Sequence, residues 1–258
     1  MSLARYIPVH FLKHLSVEIQ QLVVSEMQLN CHSCTASGFA KDAVDYHSAE
    51  VKCCSYWPFV PNFMVPLYWQ KSSHSALFLD SKVLLPIGLV APVEYQKLHQ
   101  TKSQDPAMQC PFFSKEKTCE VWEFRSAPCA TYFCRSSSGD TGQNFWQEAC
   151  HLLSLLEQGL ARVWMLEAGY SWPEIEHCHS RLAVTSDVQE MSEFELHKIW
   201  AHHAFNKKEY FLRAANWFQN LSRNDVLSWF GEEFRIAEAQ LMARHGLTSW
   251  AGSSTANL

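Results

Sequence analysis

The sequence predicts a mainly α-helical fold, in which an irregular N-terminal half is followed by a helical bundle region. Apolar residues recur at helical spacing after residue 144, which is typical of amphipathic helices. Residues 55–66 instead contain three prolines, which exclude a regular helix there. The small, polar stretch RSSSGDTGQN (residues 135–144) indicates a loop or linker, so we divide the chain into regions 1–138 and 139–258.

The first region contains few segments with clear periodicity. The apolar spacing between Leu12 and Met27 predicts one amphipathic helix over residues 11–29. Residues 76–92 are consistent with a short hairpin that turns at Asp80–Ser81. The segment PVEYQKLHQ predicts a short helix that starts at Pro92, because proline is favoured in the first helical turn.

The second region is predicted to be helical throughout. A stripe from Phe145 to Trp164 predicts a long helix that ends near Gly169, and residues 188–204 and 207–221 predict two more. A last helix is expected over residues 227–241, with Asn224 or Asp225 as its N-cap, Gly246 just after its end and a frayed tail beyond it. The aromatic stretch 209–234 is assigned to the bundle core, and the alternative is a face that binds a peptide or protein partner.

Composition excludes several classes of protein. The chain has 258 residues, of which 47% are apolar and 18% are charged, so it is long and apolar enough to bury a core. Its net charge of −5 argues against a nucleic-acid partner. No uninterrupted apolar run is long enough to span a membrane, and the N-terminus lacks a signal-peptide pattern. We therefore expect a cytoplasmic protein, in which cysteines remain reduced.

Cysteine is concentrated in the first half of the chain. Eight of the ten cysteines precede residue 135, namely Cys31, Cys34, Cys53, Cys54, Cys110, Cys119, Cys129 and Cys134. Thiolates are soft, charged ligands that bind zinc or iron, and four of them complete a tetrahedral site. The pair in CHSC can reach one metal from a single turn. In a reducing compartment this set predicts metal binding rather than disulfides, and the irregular loops of the first region would then be held by the metal.

The order of these motifs resembles the YkgJ-type eight-cysteine cluster family, described as zinc- or iron-chelating proteins. The resemblance covers residues 31–134 and rests on CHSC, the CC doublet, CPFF and the block C-x-V-W-x-x-R-x-x-x-C-x4-C. Ser126 stands where the family has a proline after the arginine. Some relatives are flagellin lysine N-methylases, so the resemblance implies an iron–sulfur cluster and S-adenosylmethionine.

The identity of the metal is left open between an iron–sulfur cluster, of the 4Fe-4S type, and zinc. We favour the cluster, because structural zinc sites usually use two compact CxxC pairs and this chain has one. The expected function is a cytoplasmic metalloprotein, with a cluster-dependent protein- or peptide-modifying enzyme of the methylase type as its most specific form. The alternative is a structural zinc-binding or redox module that acts as a protein-interaction scaffold.

A few residues near the cysteines are further candidates for the site. Arg125 is predicted to contact the cofactor, because a guanidinium can donate hydrogen bonds to cluster sulfurs, and its alternative is an ion pair with Glu120 or Glu123. The aromatic residues Trp122, Tyr132 and Phe133 are expected to pack in the core beside the site. The motif HCH, residues 177–179, is a weaker metal candidate, which would require a strand. No hydrolase or phosphate-binding motif identifies a catalytic residue.

Overall fold

The structure, a computed structural model, describes residues 1–26, 54–73, 82–99, 108–116, 118–132, 136–182, 190–201, 203, 206–248 and 250. The described residues are mainly helical, which confirms the predicted class. The chain divides into two compact units. Unit 1 contains Met1–Leu29, Glu123–Leu160 and Asn220–Leu258, and unit 2 contains Asn30–Trp122 and Ala161–Gln219. The predicted division after residue 138 therefore falls inside a segment of unit 1.

The elements follow in chain order. The α-helices are α1 (Val9–Leu12), α2 (Val17–Gln21), α3 (Val65–Lys71), α4 (Val93–His99), α5 (Ala127–Thr131), α6 (Gly139–Glu167), α7 (Trp172–His179), α8 (Glu193–Ile199), α9 (Lys207–Asn220) and α10 (Arg223–Gly246). The strands are β1 (Val60–Pro61), β2 (Leu84–Leu85) and β3 (Gly88–Leu89). No helix among the described residues is long and apolar enough to cross a membrane.

The N-terminal segment of unit 1 forms two short helices, so the prediction of one helix over residues 11–29 is wrong. Helix α1 ends at Leu12, and Ser16 caps α2 by accepting the backbone N–H of Ile19 at 3.4 Å. After α2 the chain is extended and pairs with the N-terminus, where the backbone N–H of Leu3 donates to the carbonyl of Leu22 at 2.7 Å. A capping serine inside an apolar stripe thus divides the helix, while Leu15, Ile19 and Leu22 of the stripe remain buried and Val23 is 40% exposed.

A small antiparallel sheet lies in unit 2, in the order β1-β3-β2. A hairpin is present within residues 76–92 as β2 and β3, but it turns at Pro86–Ile87, so it is not the predicted one, whose turn at Asp80–Ser81 lies outside the described residues. Gly88 has a φ of +138°, and a Cβ there would lie 2.0 Å from the carbonyl oxygen of Val60. Only glycine allows β1 to approach β3 this closely.

The helices of the second half largely follow the sequence prediction. Helix α6 contains the expected stripe and ends before Gly169, whose φ is +91°. It begins at Gly139, so the second half of the predicted linker is helical. Helix α9 matches the expected 207–221, and α8 covers part of 188–204. The tail 251–258 lies outside the described residues.

The start of α10 differs by a few residues from its prediction. Ser222, rather than Asn224 or Asp225, is the N-cap, and it forms a reciprocal capping box with Asp225. Gly246 is the last helical residue rather than the residue after the end. Most aromatic residues of the stretch 209–234 are buried as predicted, although Trp229 is 38% exposed.

Candidate metal centre

Four of the eight predicted ligand cysteines belong to the described residues. Cys54, Cys110 and Cys119 lie in unit 2, and Cys129 lies in unit 1. All four are half-buried, and no disulfide bond joins any of the described cysteines. The other predicted ligands lie outside the described residues, namely Cys31, Cys34, Cys53 and Cys134.

The backbone brings Cys54 and Cys110 together. The backbone N–H of Cys110 donates to the carbonyl of Cys54 at 2.7 Å, across 56 residues of sequence. Cys110 also starts a tight turn, because its own carbonyl accepts the backbone N–H of Phe113 at 3.0 Å. Pro111 occupies the second position of this turn, where its fixed φ is favourable. The CPFF motif is therefore a turn that holds Cys110 against Cys54.

A short hairpin then returns the chain to Cys119. Phe113 and Cys119 pair as an antiparallel bridge, and the backbone N–H of Glu120 donates to the carbonyl of Phe112 at 3.0 Å. The hairpin is fixed to α3 and to the chain just after its end. Phe112 packs edge-on against Tyr68 with ring centroids 4.9 Å apart, and the carboxylate of Glu120 accepts the backbone N–H of Ser73 at 2.9 Å. Cys54, Cys110 and Cys119 are thus linked by consecutive backbone contacts.

Helix α5 positions Cys129 in unit 1. The Nη1 of Arg125 donates to the carbonyl of Cys129 at 3.0 Å, so the guanidinium lies beside the cysteine backbone. The first backbone N–H of the helix, from Ala127, donates to Glu157 at 2.9 Å. Burial raises the pKa of the Glu157 carboxyl well above its usual value, and this hydrogen bond opposes the effect. The predicted contact between Arg125 and a cofactor stays a prediction.

The aromatic neighbours of the block do not pack as predicted. Trp122 is 50% exposed and Tyr132 is 54% exposed, so the prediction that both are core residues is wrong. Trp122 opens a 3₁₀ turn, Trp122–Phe124, and it is the preceding residue, Val121, that is buried. Tyr132 follows the last residue of α5, whose buried side includes Ala127, Ala130 and Thr131. Phe133 lies outside the described residues.

The motif HCH does not form a metal site of the predicted kind. It lies at the end of helix α7 rather than on a strand, and successive helical side chains point about 100° apart. Cys178 is fully buried, whereas His177 is exposed. Burial raises the pKa of the Cys178 thiol to about 12, so it remains protonated and behaves as a small apolar side chain.

Within the described part of the chain, no group of three or more His, Cys, Asp or Glu side chains lies together in a way that could hold a metal ion. Backbone hydrogen bonds pair the loops around Cys54, Cys110 and Cys119, but the described residues do not include a complete set of metal ligands there. A complete set would require cysteines that lie outside the described ranges.

The sequence analysis missed one buried carboxylate next to the cysteine-rich region. Glu26 is 6% exposed and accepts hydrogen bonds from the hydroxyl of Ser136, the backbone N–H of Ser137 at 2.8 Å and the indole of Trp146 at 2.8 Å. Along the chain, Glu26 precedes Cys31 by five residues and Ser136 follows Cys134 by two. Glu26 therefore ties together the two chain segments that flank the whole cysteine set. An acidic residue within the apolar run VVSEMQL was the only local signal.

Comparison with known proteins adds no assignment. No protein-family model, curated protein or solved structure matches the chain. The fold and the described cysteines define a mainly helical protein with a cysteine-rich hairpin, and the resemblance to the eight-cysteine cluster family stays a prediction.

Proposed function

We propose that this chain is a cytoplasmic metalloprotein in which thiolates from residues 31–134 hold an iron–sulfur cluster. The observation that supports the proposal is the pairing of Cys110 with Cys54, together with the hairpin that returns to Cys119. Cys54 is far in sequence from Cys110 and Cys119, and consecutive backbone contacts link the three. A metal site made of thiolates requires this kind of convergence.

The chemistry of the donor set fits the proposed group. Thiolate sulfur is the usual ligand of iron–sulfur clusters, and the four described cysteines are half-buried residues without disulfide bonds. The turn at Pro111 and the packing of Phe112 on Tyr68 fix the backbone around Cys110. When bound, such a cluster would supply electron transfer. This chain's residues would hold it, orient it and shield it from water.

The tie through Glu26 supports the same proposal from unit 1. It joins the segment before Cys31 to the segment after Cys134, so the cysteine-rich region begins and ends at one place. Closing a loop of this length in advance lowers the entropy cost of assembling its ligands. The buried indole of Trp146 completes the contact and keeps water away from the carboxylate.

The most specific form of the proposal is a cluster-dependent enzyme that modifies a protein or peptide, with S-adenosylmethionine as methyl donor. Its support is the family resemblance of residues 31–134. Titration of the cluster-loaded protein with S-adenosylmethionine tests it by calorimetry, and absence of binding would restrict the proposal to a redox or structural metal site.

Anaerobic purification followed by iron, sulfide and zinc analysis tests the metal itself. We expect brown protein with iron and acid-labile sulfide in comparable amounts. Colourless protein that carries stoichiometric zinc would refute the cluster and retain thiolate metal binding. Protein with neither metal, prepared without oxygen, would refute the proposal as a whole.

Matched cysteine variants locate the site. Cys110→Ser should lose most of the bound metal, because serine is a poor ligand for soft metals. Cys150→Ser is the control, since Cys150 is also half-buried but lies on α6 beside Ser154, outside the cysteine-rich region. Equal metal content in the two variants would exclude Cys110 as a ligand.

A further inference from the structure

Helix α10, in unit 1, contains a corner at Gly231. The backbone of Gly231 has a φ of +45° and a ψ of −113°, which is not helical. The residues on either side of it are helical, so α10 consists of two halves, residues 223–230 and 232–246. Glycine adopts a positive φ readily, whereas the Cβ of any other residue makes it costly.

Two contacts show how sharp the corner is. Arg223 and Glu238 are 15 residues apart, which corresponds to about 22 Å along a straight helix. Their side chains are nevertheless joined by two hydrogen bonds, from Nη1 to Oε1 at 2.8 Å and from Nη2 to Oε2 at 2.5 Å. The guanidinium also lies 5.5 Å from the ring centre of Phe234. The two halves therefore fold back towards each other at Gly231.

Residues 14–23 of unit 1, which we call the strap, bind both members of this ion pair. The carbonyl of His14 accepts a hydrogen bond from Nη1 of Arg223 at 2.6 Å. The backbone N–H of Ser16 donates to Oε1 of Glu238 at 2.7 Å. One end of the strap is thus attached to the first half of α10 through the arginine and to the second half through the glutamate.

The strap and the corner depend on the same few contacts. The side chain of Glu238 is 9% exposed and that of Arg223 is 26% exposed, so loss of either partner leaves a poorly hydrated charge. At the other end of the strap, Nε2 of His245 donates to the carbonyl of Val23 at 2.6 Å. Helix α2, within the strap, has five residues and is too short to be stable without these attachments.

We propose that the strap and the corner of α10 form one latch, which opens as a unit before the rest of unit 1 unfolds. Opening at Gly231 separates Arg223 from Glu238 and thereby releases the strap. Release of the strap in turn removes two backbone partners from the ion pair. The strap ends three residues before Glu26, so the latch lies next to the tie that joins the ends of the cysteine-rich region. The latch uses no cysteine and does not depend on a bound metal.

Hydrogen exchange of the full chain, measured by mass spectrometry at several low urea concentrations, tests the latch. Peptides from the strap and peptides from residues 223–238 should open with the same free energy, because they form one cooperative unit. Peptides from residues 145–156, in the buried stripe of α6, should require a higher free energy. The proposal is overturned if the strap and the corner open with different free energies, or if both open only together with α6.

Gly231→Ala tests the coupling from the side of the corner. The new Cβ would meet no atom within 4 Å, so it cannot disturb the strap by contact, but the positive φ strains it. We expect exchange of the strap peptides to rise by about 10-fold or more, with a smaller rise in residues 145–156. Gly246→Ala is the control, since its Cβ also meets no atom within 4 Å, and it should leave the strap unchanged.

Glu238→Gln tests the coupling from the side of the ion pair. It keeps an acceptor for Ser16 but leaves the charge of Arg223 without its counterion, so exchange of the strap and of residues 223–238 should rise together by about 10-fold or more. Glu233→Gln, which alters an exposed residue of the same half, should change neither. A rise confined to α10 in either Gly231→Ala or Glu238→Gln would refute the latch. If these variants do not fold, the urea dependence of exchange in the unaltered protein decides the matter.

Discussion

Asn62 carries the strongest test of the packing in unit 2. Its side chain is fully buried, and its Nδ2 donates to the carbonyls of Pro86 at 3.0 Å and Ala161 at 2.9 Å. Its Oδ1 accepts the backbone N–H of Phe63 at 2.9 Å. One amide thus joins the hairpin turn, the segment between β1 and α3, and helix α6. Asn62→Asp keeps the shape of the side chain and replaces the donor by an acceptor.

The expected cost follows from the lost contacts. Two donated hydrogen bonds disappear and two buried carbonyls lose a partner, so the free energy of unfolding should fall by about 3 to 5 kcal/mol at pH 7. Burial should raise the pKa of the introduced carboxyl, and a protonated carboxyl can donate one bond again. The loss should therefore be smaller near pH 4 and grow as the pH rises towards 7.

Urea unfolding followed by circular dichroism at both pH values measures this effect against the unaltered protein. Asn224→Asp is the matched control, because Asn224 is exposed in the first turn of α10, where a negative charge is neutral or slightly favourable. A loss below about 1 kcal/mol at pH 7, or a loss that does not depend on pH, would refute the role assigned to Asn62.

The remaining predictions concern unit 1. Gly159→Ala should lower the free energy of unfolding by about 1 to 3 kcal/mol, because the new Cβ would lie 2.7 Å from the ring of Phe230. Gly246→Ala is the control, since a Cβ there meets no atom within 4 Å, and equal free energies of unfolding for the two variants would contradict the prediction. Glu26→Gln should lower the free energy of unfolding, measured by thermal unfolding, by about 2 kcal/mol, because the charge-assisted hydrogen bonds from Ser137 and Trp146 are lost. An unchanged free energy of unfolding would show that these hydrogen bonds do not stabilise the fold. Burial, followed by the charge of Lys13, lowers the pKa of His14 to about 4. Protonation of His14 therefore favours the unfolded chain, and its contribution to the free energy of unfolding, present above pH 6.5, should fall by about 3 kcal/mol as the pH drops to 4. Burial also lowers the pKa of His10, to about 3. In urea unfolding across this range, His14→Gln should therefore lose part of the pH dependence and keep the part due to His10, and an unchanged pH dependence would contradict the assignment.

The parts of the fold that could be predicted are those encoded locally. The stripe of α6, the start of α4 after Pro92 and the glycine after α6 depend on residues within one or two helical turns. The prediction of the first helix was wrong because its apolar spacing competes with a local serine cap. Ser16 divides the expected first helix because a serine cap satisfies the backbone as well as a continued helix does.

The sequence pattern around single residues also did not predict correctly which side chains are buried. Trp122 and Tyr132 are aromatic and were expected in the core, but the 3₁₀ turn and the end of α5 direct them outwards. His177 and His179 were considered together as a strand pair, and a helix separates them. Side-chain direction depends on the element that carries the residue, which the residue type alone does not determine.

The sequence by itself determined the helical class and the approximate positions of α4, α6, α8, α9 and α10, and the soft-ligand chemistry of the cysteine-rich region stays its prediction. These follow from residue type and from spacing over a few positions. Only the tertiary structure decided that Cys110 meets Cys54 and that Glu26 ties the ends of the cysteine-rich region. Each of these contacts joins residues tens of positions apart, where the entropy of the chain leaves no local pattern and packing selects the partner.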